Sequence, residues 1–343
     1  MNPATWSLLL LSMILGTAIT LSSSHWLLAW AGLEMNTLAV IPMISKQPGT
    51  EAATKYFLTQ STASAMILFA SSINAWKTGQ WDIYLLSLPE TTILLTLALA
   101  MKLGLAPLHF WLPETLQGTT ILTAILISTW QKLAPSALLL MTYNNLNQQT
   151  LLALGLLSAI LGGWFGLNQT QTRKIMAFSS IAHMGWMFTA LSMNQNLALI
   201  TLTTYLVLST AMFSALLMTT SKTLTDLGTT WPQTPALLTA SMLTLMSLGG
   251  LPPLTGFMPK WLILNELLTN NFPIISTLMA LSTLPSLFFY LRMSHMTTLT
   301  TPPKTTNTEH KWRFKSHTIP AMTLTIIMST LFLPITPLII NLY

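Results

Sequence analysis

Five side chains in this sequence are of types that hold and release protons, and they stand within or against long apolar runs: Glu34, Lys102, Lys132, His183 and Lys260. A charge at the centre of a membrane helix costs about 2.5 to 3.5 kcal/mol. Left unpaired, the three lysines and the glutamate would cost on the order of 10 kcal/mol, as much as the stability of a whole domain. They must therefore be paired, hydrated or neutral. Burial and a nearby carboxylate act in opposite directions on a lysine's hold on its proton. A Glu34–Lys102 pair that forms and breaks would switch Lys102 between keeping and passing a proton; the plainer reading is a structural ion pair. Lys132, in TWQKLAP, sits too far from either end of its run to snorkel easily, and buried lysines suit proton carrying. Lys260 is either a carrier or a snorkelling lysine near a helix end. His183 in SSIAHMGW, and His109, are either relays near neutral pH or hydrogen-bonded structural histidines.

The elements that must position these groups are transmembrane helices. Hydrophobic residues make up 52% of the 343 and charged ones 6%, with a mean hydropathy of +0.60. That composition cannot clothe a soluble domain, and the repeated apolar runs are of bilayer-spanning length. The sequence predicts an all-α polytopic membrane protein of about eleven spans, near 3–21, 25–44, 53–73, 91–111, 120–141, 151–167, 175–192, 197–219, 236–267, 274–291 and 319–340. The fourth and ninth are interrupted. MKLGLAPLHFWLPE (101–114) places Gly104 and Pro107 inside one run, and MSLGGLPPLTGFMPKWLI places Gly249, Gly250, Pro252, Pro253, Gly256 and Pro259 inside the other. Proline removes a donor and clashes with the preceding turn. Freed backbone groups at membrane depth are tolerated only where protein or a hydrated cavity satisfies them.

The two interrupted segments align at an offset of 146: Gly104 falls on Gly250, Pro107 on Pro253, Phe110 on Gly256, Trp111 on Phe257 and Glu114 on Lys260. An odd number of helices separates them, so the copies should run in opposite directions, an arrangement typical of transporters with a pathway at the repeat interface. The expected organisation is a single membrane domain with inverted repeats at 1–141 and 151–291, and a loop with a last helix at 292–343. Lys46, Lys55, Arg173, Lys174, Lys222, Arg292, Lys304, Lys311, Arg313 and Lys315 fall in loops on the N-terminal side, against Lys77 alone on the other. By the basic-residue rule the N-terminal side is cytoplasm-like, or matrix, and the C-terminus faces away. The N-terminal run lacks a basic n-region and a cleavage-like end, so it reads as a retained span.

Several classes are excluded. Without cysteine there are no disulfides and no thiolate or iron–sulfur ligands. No P-loop, dinucleotide fingerprint, Ser–His–Asp set or haem-like histidine pair is present. The basic loops set orientation and are no nucleic-acid footprint.

Glu34 in AWAGLEMNTLAVIPMI, Lys102 in MKLGLAPLHFWLPE, Lys132 in TWQKLAP, SSIAHMGW at 179–186 and LGGLPPLTGFMPKW at 248–261 together resemble the antiporter-like, proton-pumping subunit 2 family of mitochondrial NADH:ubiquinone oxidoreductase, respiratory complex I. The likeness runs along the whole chain. It implies a redox-inactive subunit of the membrane arm that translocates protons along a hydrated axis of Glu34, Lys102, Lys132, His183 and Lys260. It also implies a place in the inner mitochondrial membrane among other antiporter-like and small membrane subunits, with phospholipids around it. NADH, FMN, iron–sulfur clusters and ubiquinone would lie in partner subunits. Lys260 stands where some sister subunits use another residue, so their exit route does not simply transfer. A stand-alone cation/proton antiporter and a structural spacer are the alternatives.

Overall fold

The computed structural model describes residues 3–45, 50–231, 234–298 and 320–335. Over these the chain is helical: α1 (Pro3–Ser22), α2 (Trp26–Ile44), α3 (Thr50–Thr78), α4 (Pro89–Leu103), α5 (Trp111–Gly118), α6 (Ile121–Ser128), α7 (Trp130–Met141), α8 (Gln148–Gly166), α9 (Thr172–Met193), α10 (Gln195–Thr219), α11 (Leu224–Thr229), α12 (Pro235–Gly249), α13 (Phe257–Thr269), α14 (Pro273–Thr297) and α15 (Pro320–Leu331). No strand occurs among the described residues. Among the described residues seven stretches are long and apolar enough to cross a bilayer: α1, α2, α6 with α7, α8, α9, α10 and α14. The basic loop residues Lys46, Lys304, Lys311, Arg313 and Lys315, and the C-terminal Tyr343, lie outside the described residues.

The chain forms two compact units, Met1–Ser158 and Ala159–Tyr343. The division falls inside α8, later than the repeat boundary expected from the sequence. In the first unit α2 packs on α1 and α3, α4 on α3 and α7, and α7 also on α1 and α2. In the second, α9 is enclosed almost all round and touches α10, α13 and α14. α12 packs on α10, α14 and α15.

Both interrupted segments end their first helix in the same way. Gly104 and Gly250 take left-handed conformations, with φ of 78° and 81°, which glycine adopts without a Cβ clash. The following N–H folds back five residues, Leu105 to Ala100 at 2.9 Å and Leu251 to Met246 at 3.3 Å, in a Schellman-type closure. The Ala106–Pro107 and Pro252–Pro253 bonds that follow are cis. Element bounds keep the offset of 146: α4 begins at Pro89 and α12 at Pro235, α5 at Trp111 and α13 at Phe257, α2 at Trp26 and α9 at Thr172.

The expected fifth span differs from its reading as one continuous helix. It is divided at Thr129 into α6 and α7. The Thr129 hydroxyl donates to the Ile125 carbonyl at 2.6 Å, a back-bond that bends helices, and Pro135 removes a backbone donor within α7.

Candidate functional site

In the first unit Lys102, in the last turn of α4, and Lys132, in the first turn of α7, line one cavity. Lys102 is 5% exposed and Lys132 2%, so neither ammonium reaches bulk solvent. The cavity has a volume of about 10 Å³, room for about one water. Asn36, Thr37, Tyr56, Gln60, Trp111 and Gln131 share its wall. Lys102 Nζ, both polar atoms of the Asn36 amide and Gln131 Nε2 are buried without hydrogen-bond partners. Unpaired buried polar atoms are costly and rare. Their gathering around one small cavity gives a single water several polar groups to bond.

Glu34 lies at the edge of this group, half-buried on α2. The direct Glu34–Lys102 ion pair anticipated from the sequence is not formed. The Glu34 carboxylate accepts instead from Thr37 Oγ1 at 3.0 Å, while Lys102 Nζ has no partner. The two remain within electrostatic reach of one another, and Glu34 also acts on Tyr56. Glu114, aligned with Lys260 in the sequence, occupies the first turn of α5 and pairs with Lys55 of α3 at 2.6 Å, both about half exposed.

In the second unit His183 of α9 and Lys260 of α13 line another cavity of about 10 Å³, with Thr201 and Thr204 of α10 beside them. Lys260 Nζ donates to the Gly249 carbonyl at 2.8 Å. His183 Nε2 lies 3.3 Å from the Tyr290 hydroxyl and its ring 5.7 Å from that of Tyr205. Ser179 lies beside Tyr290, and Ser180 and Ser209 lie beside Tyr205. A hydroxyl-rich shell thus surrounds the histidine. His109 is buried, 3.2 Å from the Pro107 carbonyl and stacked on Phe110. It does not line either lysine cavity.

Tyr205 and Tyr290 escape a reading of the sequence because aromatic residues in apolar runs ordinarily fill cores. The signal was the neighbouring SSIAH, whose paired serines at membrane depth call for polar partners. Asn36 carried a clearer signal, an amide two residues after Glu34 in an otherwise apolar helix.

Comparison with known proteins bears on the family of the chain. Residues 23–285 match the NADH:quinone oxidoreductase/Mrp antiporter membrane family, and residues 287–340 the NADH dehydrogenase subunit 2 C-terminus. NADH-ubiquinone oxidoreductase chain 2 of Carassius auratus is 52% identical over 100% of this chain and 99% of its own length. That of Struthio camelus is 51% identical over 99% of each. Among solved structures, respiratory complex I from Thermus thermophilus, solved with bound aureothin, contains a chain that superimposes with a TM-score of 0.86 at 26% identity, covering 100% of this chain and 80% of its own. The Mrp complex from Dietzia sp. shares the fold, with a TM-score of 0.78 at 17% identity over 91% of this chain and 62% of its own. Family match and full-length identity together establish that the chain belongs to the NADH-ubiquinone oxidoreductase chain 2 family, antiporter-like membrane subunits of respiratory complex I.

Proposed function

We propose that this chain translocates protons across the mitochondrial inner membrane, driven by NADH oxidation and ubiquinone reduction in other subunits of the complex. Glu34, Lys102 and Lys132 carry protons in the first unit, and His183 and Lys260 in the second. The observation that carries this reading is the pair of buried cavities, one lined by two lysines and unpaired amides, the other by a histidine and a lysine. Such sites are expensive to maintain in a membrane protein and mark ion or proton pathways. The offset of 146 shared by the starts of α2 and α9, α4 and α12, and α5 and α13 supports inverted repeats at 1–141 and 151–291, with 292–343 outside them. The N-terminus faces the matrix and the C-terminus the intermembrane space.

Glu34 acts on Lys102 at a distance and not as a contact partner. A movement of charge near Glu34, or of the Thr37 hydroxyl that holds it, alters the field at Lys102. Moving one charge against the membrane potential costs about 2.3 kcal/mol per 100 mV, so the coupled redox chemistry must supply it. NADH, FMN, iron–sulfur clusters and ubiquinone belong to partner subunits. Other antiporter-like and small membrane subunits flank this chain, and phospholipids cover its apolar faces.

The Mrp likeness favours one other reading, a chain that exchanges cations for protons by itself. In membranes containing the assembled complex, Lys132→Ala should lower NADH:ubiquinone turnover several-fold while the complex stays assembled. Cation-dependent transport by the isolated chain, with full turnover in the variant complex, would replace the proposal with the antiporter reading.

A further inference from the structure

The two broken helices are closed by side chains of different kinds. In an uninterrupted helix the Gly249 carbonyl would accept from the N–H of residue 253, which is proline and has none. Lys260 Nζ donates to that carbonyl, and the lysine side chain lies against Gly250, so that a Cβ there would meet its Cδ at 2.9 Å. The corresponding residue of the first unit, Glu114, has no proton to donate when ionised and pairs with Lys55. There the Met101 carbonyl, at the position of Ser247 in the second unit, accepts from Gly104 N–H at 3.2 Å in place of Leu105 N–H, which turns back to Ala100. The Trp111 indole Nε1 donates to Met101 O at 3.1 Å.

An indole N–H does not titrate, whereas an ammonium does. A cation at a helix C-terminus is favoured by the helix dipole, and a charged donor makes a hydrogen bond about twice as strong as a neutral one. The geometry points to a division of labour in which Lys260 is a proton-sensitive cap on the break in α12, while Trp111 is a fixed cap that positions the turn carrying Lys102. Loss of the Lys260 proton loosens the last turn of α12 and the link to α13. This goes beyond the proposed proton path, because Lys260 then changes backbone geometry as well as carrying charge. The groups that face Lys260 are few. α9 offers His183, α10 offers Thr201 and Thr204, and α14 reaches the histidine through Tyr290. Glu266 lies on α13 itself, beyond the cavity, and no carboxylate lines the cavity among the described residues.

Hydrogen–deuterium exchange of the assembled complex across a pH series tests this, with peptides over 243–256 and 97–110 compared in one sample. As pH rises, exchange over 243–256 should increase about two- to fivefold beyond its intrinsic pH dependence, while 97–110 follows the intrinsic curve. Lys260→Arg keeps a cationic donor that does not titrate, so it should abolish the extra rise. Trp111→Phe should speed exchange over 97–110 at every pH without adding a pH response. Equal pH responses of both segments in the unaltered complex, or a rise that survives Lys260→Arg, would overturn the inference. If the arginine variant fails to assemble, the two-peptide comparison in the unaltered complex decides alone. Because the readout is exchange and not pumping, its failure leaves the proton-path proposal standing.

Discussion

Lys102 and Lys132 share a cavity although 30 positions separate them in the chain, because α4 packs directly on α7. Their burial was legible in the sequence, since both lysines stand in apolar runs. Their partners were not legible. Whether Glu34 touches Lys102 or only influences it depends on side-chain geometry across packed helices, which residue types do not encode. The amide of Asn36 is informative here, because it is buried and makes no hydrogen bond. If it serves only the fold, replacing it should cost stability. If it serves hydration of the lysine cavity, Asn36→Leu relieves a desolvation penalty of about 1 to 3 kcal/mol. The expected outcome is an assembled complex of equal or higher thermal stability with diminished proton pumping. A destabilised complex with full pumping would assign Asn36 to packing.

At the scale of elements, the interruptions of α4 and α12 were readable because glycine and proline impose them through backbone chemistry. The break between α6 and α7 was not, since Thr129 carries no such constraint and acts through a hydroxyl that equally often points elsewhere. Gly256 makes the second interruption intolerant of change. A Cβ there would overlap the Ser247 carbonyl, and backbone cannot retreat as a flexible side chain does. Gly256→Ala should lower assembly of the complex, measured as the amount recovered intact from membranes, whereas alanine at the open-sided Gly79, already in a left-handed turn, should lower it less. The short helix α11 offers a pH test outside the spans. Thr223 and Asp226 form a capping box. Burial works to raise the Asp226 carboxyl, but hydrogen bonds from Thr223 and Lys222, with the lysine's charge, outweigh it and hold the carboxyl below its ordinary 3.8. A depressed carboxyl contributes stability that is present above pH 3.8 and lost as pH falls through the folded value. Amide exchange over 224–229 should therefore accelerate on acidification below about pH 4, and Asp226→Asn should remove that acid response. Persistence of the response in the variant would locate it elsewhere.

At the scale of the molecule, the all-α class followed from composition. Orientation rests on basic loop residues, several of which lie outside the described residues. As a chain of the NADH-ubiquinone oxidoreductase family, this protein is a membrane subunit of an enzyme complex. The proposed contribution of the chain is read in charge moved per electron. The most direct measurement is the proton-to-electron ratio of the complex reconstituted in sealed vesicles, with and without Lys132→Ala, at matched rates of NADH oxidation. The account predicts a lower ratio in the variant, because the lysine cavity of the first unit can no longer load. An unchanged ratio in a fully assembled variant complex would contradict a proton path through this chain.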